Sequence, residues 1–199
     1  SALTTPSGAW CAAFGNSALQ IATGNENSAF GSSSGSSLTN GTKNTLIGRA
    51  SGAYLTSGSN NTLVGYYAGS GSLNSSTTGN TFLGYNSGVS MSSGSYNTII
   101  GSFNGNQNGW DIRTSSNNVV LSDGDGNVRF YANSSGNVGL GTTNPTSALS
   151  VGGGIGATTL YVGGISQTGV ATFITSGQKT EITNNGILVS TSGGSSTLY

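Results

Sequence analysis

Three oxygen-bearing side chains stand at alternate positions in Ser122-Asp123-Gly124-Asp125-Gly126-Asn127. This spacing of Asp123, Asp125 and Asn127 is that of the first half of a calcium loop, whose oxygens ligate a hard cation. Such a loop closes on an acidic residue at its twelfth position, where this chain has Ser134. A hairpin turn uses the same residues without any ion, because Asp-Gly and Gly-Asn steps favour turns with positive φ. The turn is the reading adopted, with metal ligation by Asp123, Asp125 and Asn127 as its alternative. No cofactor is expected.

A second set of residues suits sugar binding. Tyr66, Tyr67, Tyr85 and Phe103 each follow a glycine of a repeated motif by one or two residues. Similar phase in a repeat lines side chains up on one surface. An aromatic rank beside Asn and Ser offers ring faces for stacking and amides for hydrogen bonds. Packing at coil corners or between chains is the competing use of the same four residues.

Catalysis is poorly supplied. The chain has no histidine, so the usual general base near neutral pH is missing. Glycoside cleavage needs two carboxylates flanking the bond. Asp123 and Asp125 are the only close pair, while Glu26, Asp111 and Glu181 are isolated in sequence. No G-x-x-x-x-G-K-[ST] phosphate loop occurs. The single Cys11 has no partner for an intrachain disulfide. The expectation is a chain that is not an enzyme.

The elements that must carry these residues are announced by a repeat. Asn27-Ser28-Ala29-Phe30-Gly31, Asn44-Thr45-Leu46-Ile47-Gly48, Asn61-Thr62-Leu63-Val64-Gly65, Asn80-Thr81-Phe82-Leu83-Gly84 and Asn97-Thr98-Ile99-Ile100-Gly101 are near copies. The asparagines are 17, 17, 19 and 17 residues apart, and a second glycine follows the first by four in each copy. A degenerate earlier copy ends at Phe14-Gly15, with Cys11 in the place of Asn. A fixed short period predicts a solenoid in which each copy is one coil stacked on the last. The glycines serve the turns. The asparagines are placed to form a ladder from coil to coil.

Composition agrees. Gly, Ser, Thr and Asn fill 117 of 199 positions, a bias that in a chain of high net charge would mean disorder. Here the net charge is zero and the apolar residues fall in register. They are too few for one compact core of this length, which points to an elongated protein that shares its core with neighbours. A neutral chain offers no basic surface to nucleic acid. No apolar run is long enough to cross a bilayer as a helix, so membrane insertion is not expected.

Three zones follow, all β: residues 1–110 as a repeat β-solenoid of 17-residue coils, 111–145 as a β-hairpin transition region, and 146–199 as a β-prism or collar. The second zone shows Asn117-Asn118-Val119-Val120-Leu121, Asn127-Val128-Arg129-Phe130 and Asn137-Val138-Gly139-Leu140 between strong turn signals. The third shows short runs such as Ala148–Val151, Thr159–Val162 and Gly186–Val189. No ten-residue stretch carries a helical period.

The paired apolar residues carry a further inference. Neighbours in a strand point to opposite faces. In Leu46/Ile47, Leu63/Val64, Phe82/Leu83 and Ile99/Ile100 one residue fills its own coil and the other points out. Repeated along the stack, the outer residues form an apolar stripe of a kind that soluble monomers rarely expose. Identical chains arranged around one axis would cover it, which predicts a homo-oligomer with threefold symmetry preferred.

The repeat resembles the head repeats of trimeric autotransporter adhesins and, more closely, repeats of bacteriophage tail fibres. Gly136-Asn137-Val138-Gly139-Leu140-Gly141-Thr142-Thr143-Asn144-Pro145 resembles the GNVGIGTT-x-P segment that precedes an endosialidase-type intramolecular chaperone in such fibres, with Leu140 in place of the commoner Ile. The likeness covers residues from about 25 to 151. It implies a homotrimeric, extracellular shaft of the virion, joined to other tail proteins and attached to a bacterial surface glycan or other receptor. An adhesin head is the alternative, and a glycan-cleaving tailspike a third. Nothing resembling the chaperone lies within these residues.

Overall fold

The computed structural model describes residues 7–71 and 77–153, together with the backbone of four strands between 171 and 198. The described residues contain strands and turns and no helix. The chain divides into two compact units, 1–155 and 156–199.

In the first unit each repeat forms one three-residue strand: β1 (Ala12–Phe14), β2 (Ser28–Phe30), β3 (Thr45–Ile47), β4 (Thr62–Val64), β5 (Thr81–Leu83) and β6 (Thr98–Ile100). These pair in parallel with their sequence neighbours, Thr45 on Thr62, Leu46 on Leu63 and Ile47 on Val64. The solenoid expected from the period is therefore present. A short hairpin, β7 (Asn106–Gln107) and β8 (Trp110–Asp111), follows β6. The sheet then resumes with β9 (Val119–Ser122), again parallel to β6. After β9 the strand direction reverses: β10 (Val128–Ala132) is antiparallel to β9 and to β11 (Val138–Leu140), while β12 (Leu149–Val151) is parallel to β11. All of these strands except β7 and β8 form one ten-stranded sheet.

The second unit is a four-stranded antiparallel meander, β13 (Ala171–Thr175), β14 (Gln178–Thr183), β15 (Gly186–Thr191) and β16 (Gly194–Leu198). The run Gly186–Val189 opens β15. The run Thr159–Val162 lies outside the described residues.

Coil stacking extends beyond the strands. Past the strand, the amide N–H of Gly35, Gly52, Gly69 and Gly88 donates to the carbonyl of Ser51, Ala68, Ser87 and Phe103 in the following coil, at 2.8–2.9 Å. Backbone groups are thus satisfied around the perimeter, as burial of so thin a structure requires. The glycine after each strand has a reason specific to stacking. At Gly65, φ is +140° and an added Cβ would lie 2.2 Å from the Gly84 carbonyl oxygen of the next coil. Both the conformation and the space exclude a side chain.

Inside, two columns of apolar side chains run along the stack. The strand column is Ala29, Leu46, Leu63, Phe82, Ile99 and Val120, and the opposite column includes Leu19, Leu38, Leu55, Met91 and Ile112; all are buried.

Beside them runs a buried asparagine ladder. Asn27 Oδ1 accepts from the backbone N–H and the Nδ2 of Asn44, both at 3.0 Å. Asn44 Oδ1 receives the same two bonds from Asn61. Asn80 N–H donates to Asn61 Oδ1, Asn97 N–H to Asn80 Oδ1, and both nitrogens of Asn118 to Asn97 Oδ1. The amide nitrogens also reach turn carbonyls: Asn27 to Gly41, Asn44 to Gly58, Asn61 to Thr77 and Asn97 to Ser115. At the far end the Tyr131 hydroxyl, on β10, donates to Asn118 Oδ1 at 2.8 Å. Burial pushes the Tyr131 hydroxyl pKa upward, so it stays a donor. At the near end Cys11 occupies the first rung. Its thiol donates to the Gly24 carbonyl at 3.3 Å, the counterpart of the bond from Asn27 to Gly41.

Replacing one rung tests this. Asn61→Ala leaves the Thr77 carbonyl and the Asn80 N–H without their side-chain partner. At about 1–3 kcal/mol for each buried unpaired group, denaturant melts should show a loss of roughly 2–5 kcal/mol. Asn61→Asp, equal in shape, should lose at least as much, because it sets a carboxylate against the Asn44 and Thr77 oxygens. Tyr131→Phe should cost less, about 1–3 kcal/mol. An unchanged midpoint for Asn61→Asp would show that the ladder does not hold the stack together.

Candidate functional site

Three surface features come from this framework. The first is the outward face of the ten-stranded sheet. One residue of each strand, the neighbour of its inward-facing residue, is in register with its counterparts: Phe14, Phe30, Ile47, Val64, Leu83, Ile100, Leu121, Phe130, Leu140 and Val151. All ten are apolar. Phe14, Phe30, Ile47, Leu83, Ile100, Leu121 and Leu140 are between 39% and 72% exposed. The division into one inward and one outward residue per pair is as the sequence predicts. The column also runs past the repeat, through the antiparallel strands β10 and β11, to β12.

The second feature is a rank of polar-tipped side chains at the corner after the strand. Arg49, Tyr66 and Tyr85 each directly follow the strand-ending glycine and so share one coil slot. The Tyr66 and Tyr85 rings are stacked, 5.7 Å apart and 10° from parallel. Tyr67 meets Tyr66 edge-on at 4.4 Å. The Arg49 guanidinium lies 5.5 Å from both the Tyr66 and Tyr67 ring centres and donates to both hydroxyls, at 3.0 and 3.2 Å. The hydrogen bond from Arg49, and then its charge, lower the Tyr67 pKa. Three of the four aromatics expected to line up are therefore together, with Tyr66 and Tyr85 exposed and Tyr67 half-buried.

Phe103 is not with them. It is buried, packed 4.8 Å from the Trp110 ring. The physical reason is a one-residue shortening of the corner after Gly101. The Phe103 carbonyl accepts from Gly88, as Ser87 accepts from Gly69 and Ala68 from Gly52. Phe103 thus occupies the slot of Ser87, which faces the interior, not that of Tyr67. Counting from the glycine assigns it to the wrong slot. Arg49 escapes an aromatic search, although it stands 17 residues before Tyr66, one full coil.

The third feature is the Asp123–Asn127 turn joining β9 to β10. One Asp123 oxygen accepts from the N–H groups of Asp125 and Asn127, at 3.1 and 2.9 Å. The other accepts from Asn127 Nδ2 at 3.1 Å and from Arg129 at 2.6 Å, an ion pair. These bonds, with that to the Asn127 N–H the largest, lower the Asp123 pKa from its usual value to about 2. Asn127 turns its amide nitrogen to Asp123, and Asp125 turns away to line a neighbouring cleft. The three candidate metal ligands are thus arranged as a hydrogen-bonded hairpin turn, and among the described residues no group of three acidic, Cys or His side chains converges. Among the described residues a second ion pair, Asp111 with Arg113 at 2.8 Å, has both side chains partly exposed at the β7–β8 hairpin.

Two shallow clefts flank Gln107 of that hairpin. One, of about 220 Å³, is lined by Tyr85, Asn86, Asn104, Gln107 and Asp125 among others. The other, of about 170 Å³, includes Trp110, Asn127 and Thr143. Neither was evident from the sequence. Its available signal was the distance from Asn97 to Asn118, 21 residues where the repeat has 17.

The chain matches no protein-family model, no curated protein and no solved structure.

The turn makes a pH prediction. Asp123 has a folded-state pKa below its unfolded one, so its contribution to stability is complete above about pH 4 and is lost as pH falls toward 2. Asp123→Asn should melt below the natural protein at pH 7. The gap should narrow between pH 4 and 2 and close below that, as read by thermal melts across the range. A gap independent of pH would mean that the carboxylate charge is not what holds the turn.

Proposed function

We propose that this chain is a shaft and attachment segment of a homotrimeric bacteriophage tail fibre. On this reading it is an extracellular part of the virion, works mechanically and adhesively, binds a bacterial surface glycan and carries out no catalysis. The meander of the second unit forms the collar or prism of the assembled fibre.

The observation that supports assembly is the unbroken outward apolar column from Phe14 to Val151. A lone chain leaves these side chains about half in water. Covering each contributes roughly a further 1 kcal/mol, and the column repeats the contact ten times. Identical chains around an axis parallel to the coil stack would cover every rung at once. The number three comes from the likeness of the repeat and of the Gly136–Pro145 segment to tail fibres. The adhesive part of the reading is supported by the exposed tyrosine rank. The non-catalytic part is supported by the pairing of Asp111 and Asp123 with arginines and by the single carboxylate, Asp125, in the larger cleft, since glycosidic cleavage uses two.

Sedimentation velocity tests the assembly. The natural protein should run at three times the 19.6 kDa chain mass. Leu83→Asp should lower that mass while keeping the β-type circular dichroism, because Leu83 points outward. Phe82→Asp, one residue away and buried, should unfold the coil instead. A well-folded natural protein of single-chain mass would overturn the proposal.

A further inference from the structure

We propose that the cleft beside Tyr85 is a binding site for a single neutral sugar ring, built by the four-residue expansion of the coil between Asn97 and Asn118. This deepens the attachment reading above and rests on it.

The rank on the solenoid corner explains where the site falls. Arg49, Tyr66 and Tyr85 occupy one slot in successive coils, each packed on the one before. The next occupant of that slot is Ser102. The rank therefore stops one coil early, and the face of Tyr85 turned away from Tyr66 carries no ring. Tyr85 is 59% exposed. The gap is not simply open surface. The expanded coil supplies Asn104 and Gln107, and the β9–β10 turn supplies Gly124 and Asp125 as further walls. In repeat proteins, insertions of this kind fall on loops of one face, often the binding face. Loops held by a rigid scaffold are also where binding groups concentrate.

The walls are organised. Gln107 Nε2 donates to the Asp125 carbonyl at 2.6 Å and its head lies against Gly126, where an added Cβ would meet the Gln107 amide at 2.4 Å. The hairpin and the turn are thereby locked to each other. Asp125 N–H is held by Asp123. The groups left over are the ones a ligand would use. Among the described residues the Asn86 side-chain amide, Asn104 Nδ2 and the Asp125 carboxylate have no hydrogen-bond partner, whereas Asn104 Oδ1 is committed to the Asn106 N–H.

An apolar ring face, two amides and one carboxylate around a small open space define the ligand. The C–H face of a pyranose fits the free face of Tyr85 as the next member of the rank. Its hydroxyls both donate and accept, so they satisfy Asp125 as acceptor and Asn86 and Asn104 as donors. At about 220 Å³ the cleft is smaller than the roughly 300–1,000 Å³ pockets that enclose a drug-sized ligand. It takes one ring and leaves both ends of a chain free to continue over the surface. The unpaired Asp125 carboxylate disfavours anionic sugars.

Saturation-transfer NMR on the natural protein tests the site. The probes are glucose, galactose, rhamnose and N-acetylglucosamine at millimolar concentration, with N-acetylneuraminic acid as the anionic probe and arginine methyl ester as a stacking cation. At least one neutral sugar should receive saturation on one ring face, and the acidic sugar none. Tyr85→Ala and Asp125→Asn should each weaken that signal about tenfold, with the melting temperature unchanged. Tyr54→Ala, equally exposed and outside the cleft, should leave it intact. Silence from all four neutral sugars, transfer that survives Tyr85→Ala, or transfer to the arginine ester alone would each overturn the sugar site. The trimer mass is measured independently, so loss of the site leaves the shaft reading standing, and a monomeric protein that binds sugar at Tyr85 overturns only the shaft.

Discussion

The buried asparagine ladder is the constraint on which the rest of the molecule depends. A coil of this solenoid has little apolar material: one strand residue and one or two others face inward. Burial alone would hold such coils together without specifying their phase. Each ladder asparagine offers one carbonyl and one NH2 in a fixed plane. The carbonyl must meet the rung above and the NH2 must meet a turn carbonyl, or buried polar groups go unpaired. A slip of one residue would break both and would also exchange every inward side chain for its outward neighbour. The ladder therefore decides which of Leu63 and Val64 is core and which is surface.

A rung fixed at one point per coil leaves the remainder of the coil free to change length. Steps of 17, 19 and 21 residues are all accommodated between rungs, and in the longest step the chain leaves the column as the β7–β8 hairpin. The ladder passes through the expanded coil without a break, from Asn97 to Asn118, while the β7–β8 hairpin stands outside it. Regularity inside and variation outside are two consequences of one set of hydrogen bonds. The outward apolar column, by contrast, does not follow from the ladder. It continues onto β10, β11 and β12, where there are no asparagine rungs and the strand direction has changed. Residues unrelated by the repeat, Phe130, Leu140 and Val151, keep the same chemical character at the same register. Folding of the coil does not require that continuity, whereas coverage by further copies of the chain, as proposed above, would.

The legible part of the fold was the part governed by adjacent residues. Asn-Thr-apolar-apolar-Gly states a rung, a short strand, one inner and one outer side chain and a turn, and every one of these is realised. What escaped were features that depend on phase across an irregular step. Asn118 is the last rung, but at 21 residues from Asn97 it reads as the start of something new. Phe103 reads as surface because the corner before it is one residue short, a change visible only in which carbonyl Gly88 bonds. Arg49 belongs to the tyrosine rank by coil position and not by residue type. The Asp-x-Asp-x-Asn spacing supports two geometries, of which the Asp-Gly and Gly-Asn steps favour the turn. What separates them is Arg129, which neutralises Asp123 from the next strand.

The same division bears on how adhesion by this chain would work. A shallow cleft with one ring face and three free polar groups can hold a sugar only weakly, since most of the ligand stays in water. Depth is not available, because a coil this thin has no interior to spare for a pocket. The scaffold offers repetition instead. A threefold fibre carries each cleft three times at fixed separation, and a surface polysaccharide presents its rings in series. Once one cleft is occupied, the others meet their ligand at an effective concentration set by that spacing, and avidity rises without any new contact. Rigidity then matters more than single-site affinity, since sites that drift apart lose the gain. On the proposed reading the hydrogen-bonded perimeter and the asparagine ladder would supply that rigidity, and would connect the polar core of the coil to the strength of attachment at its surface.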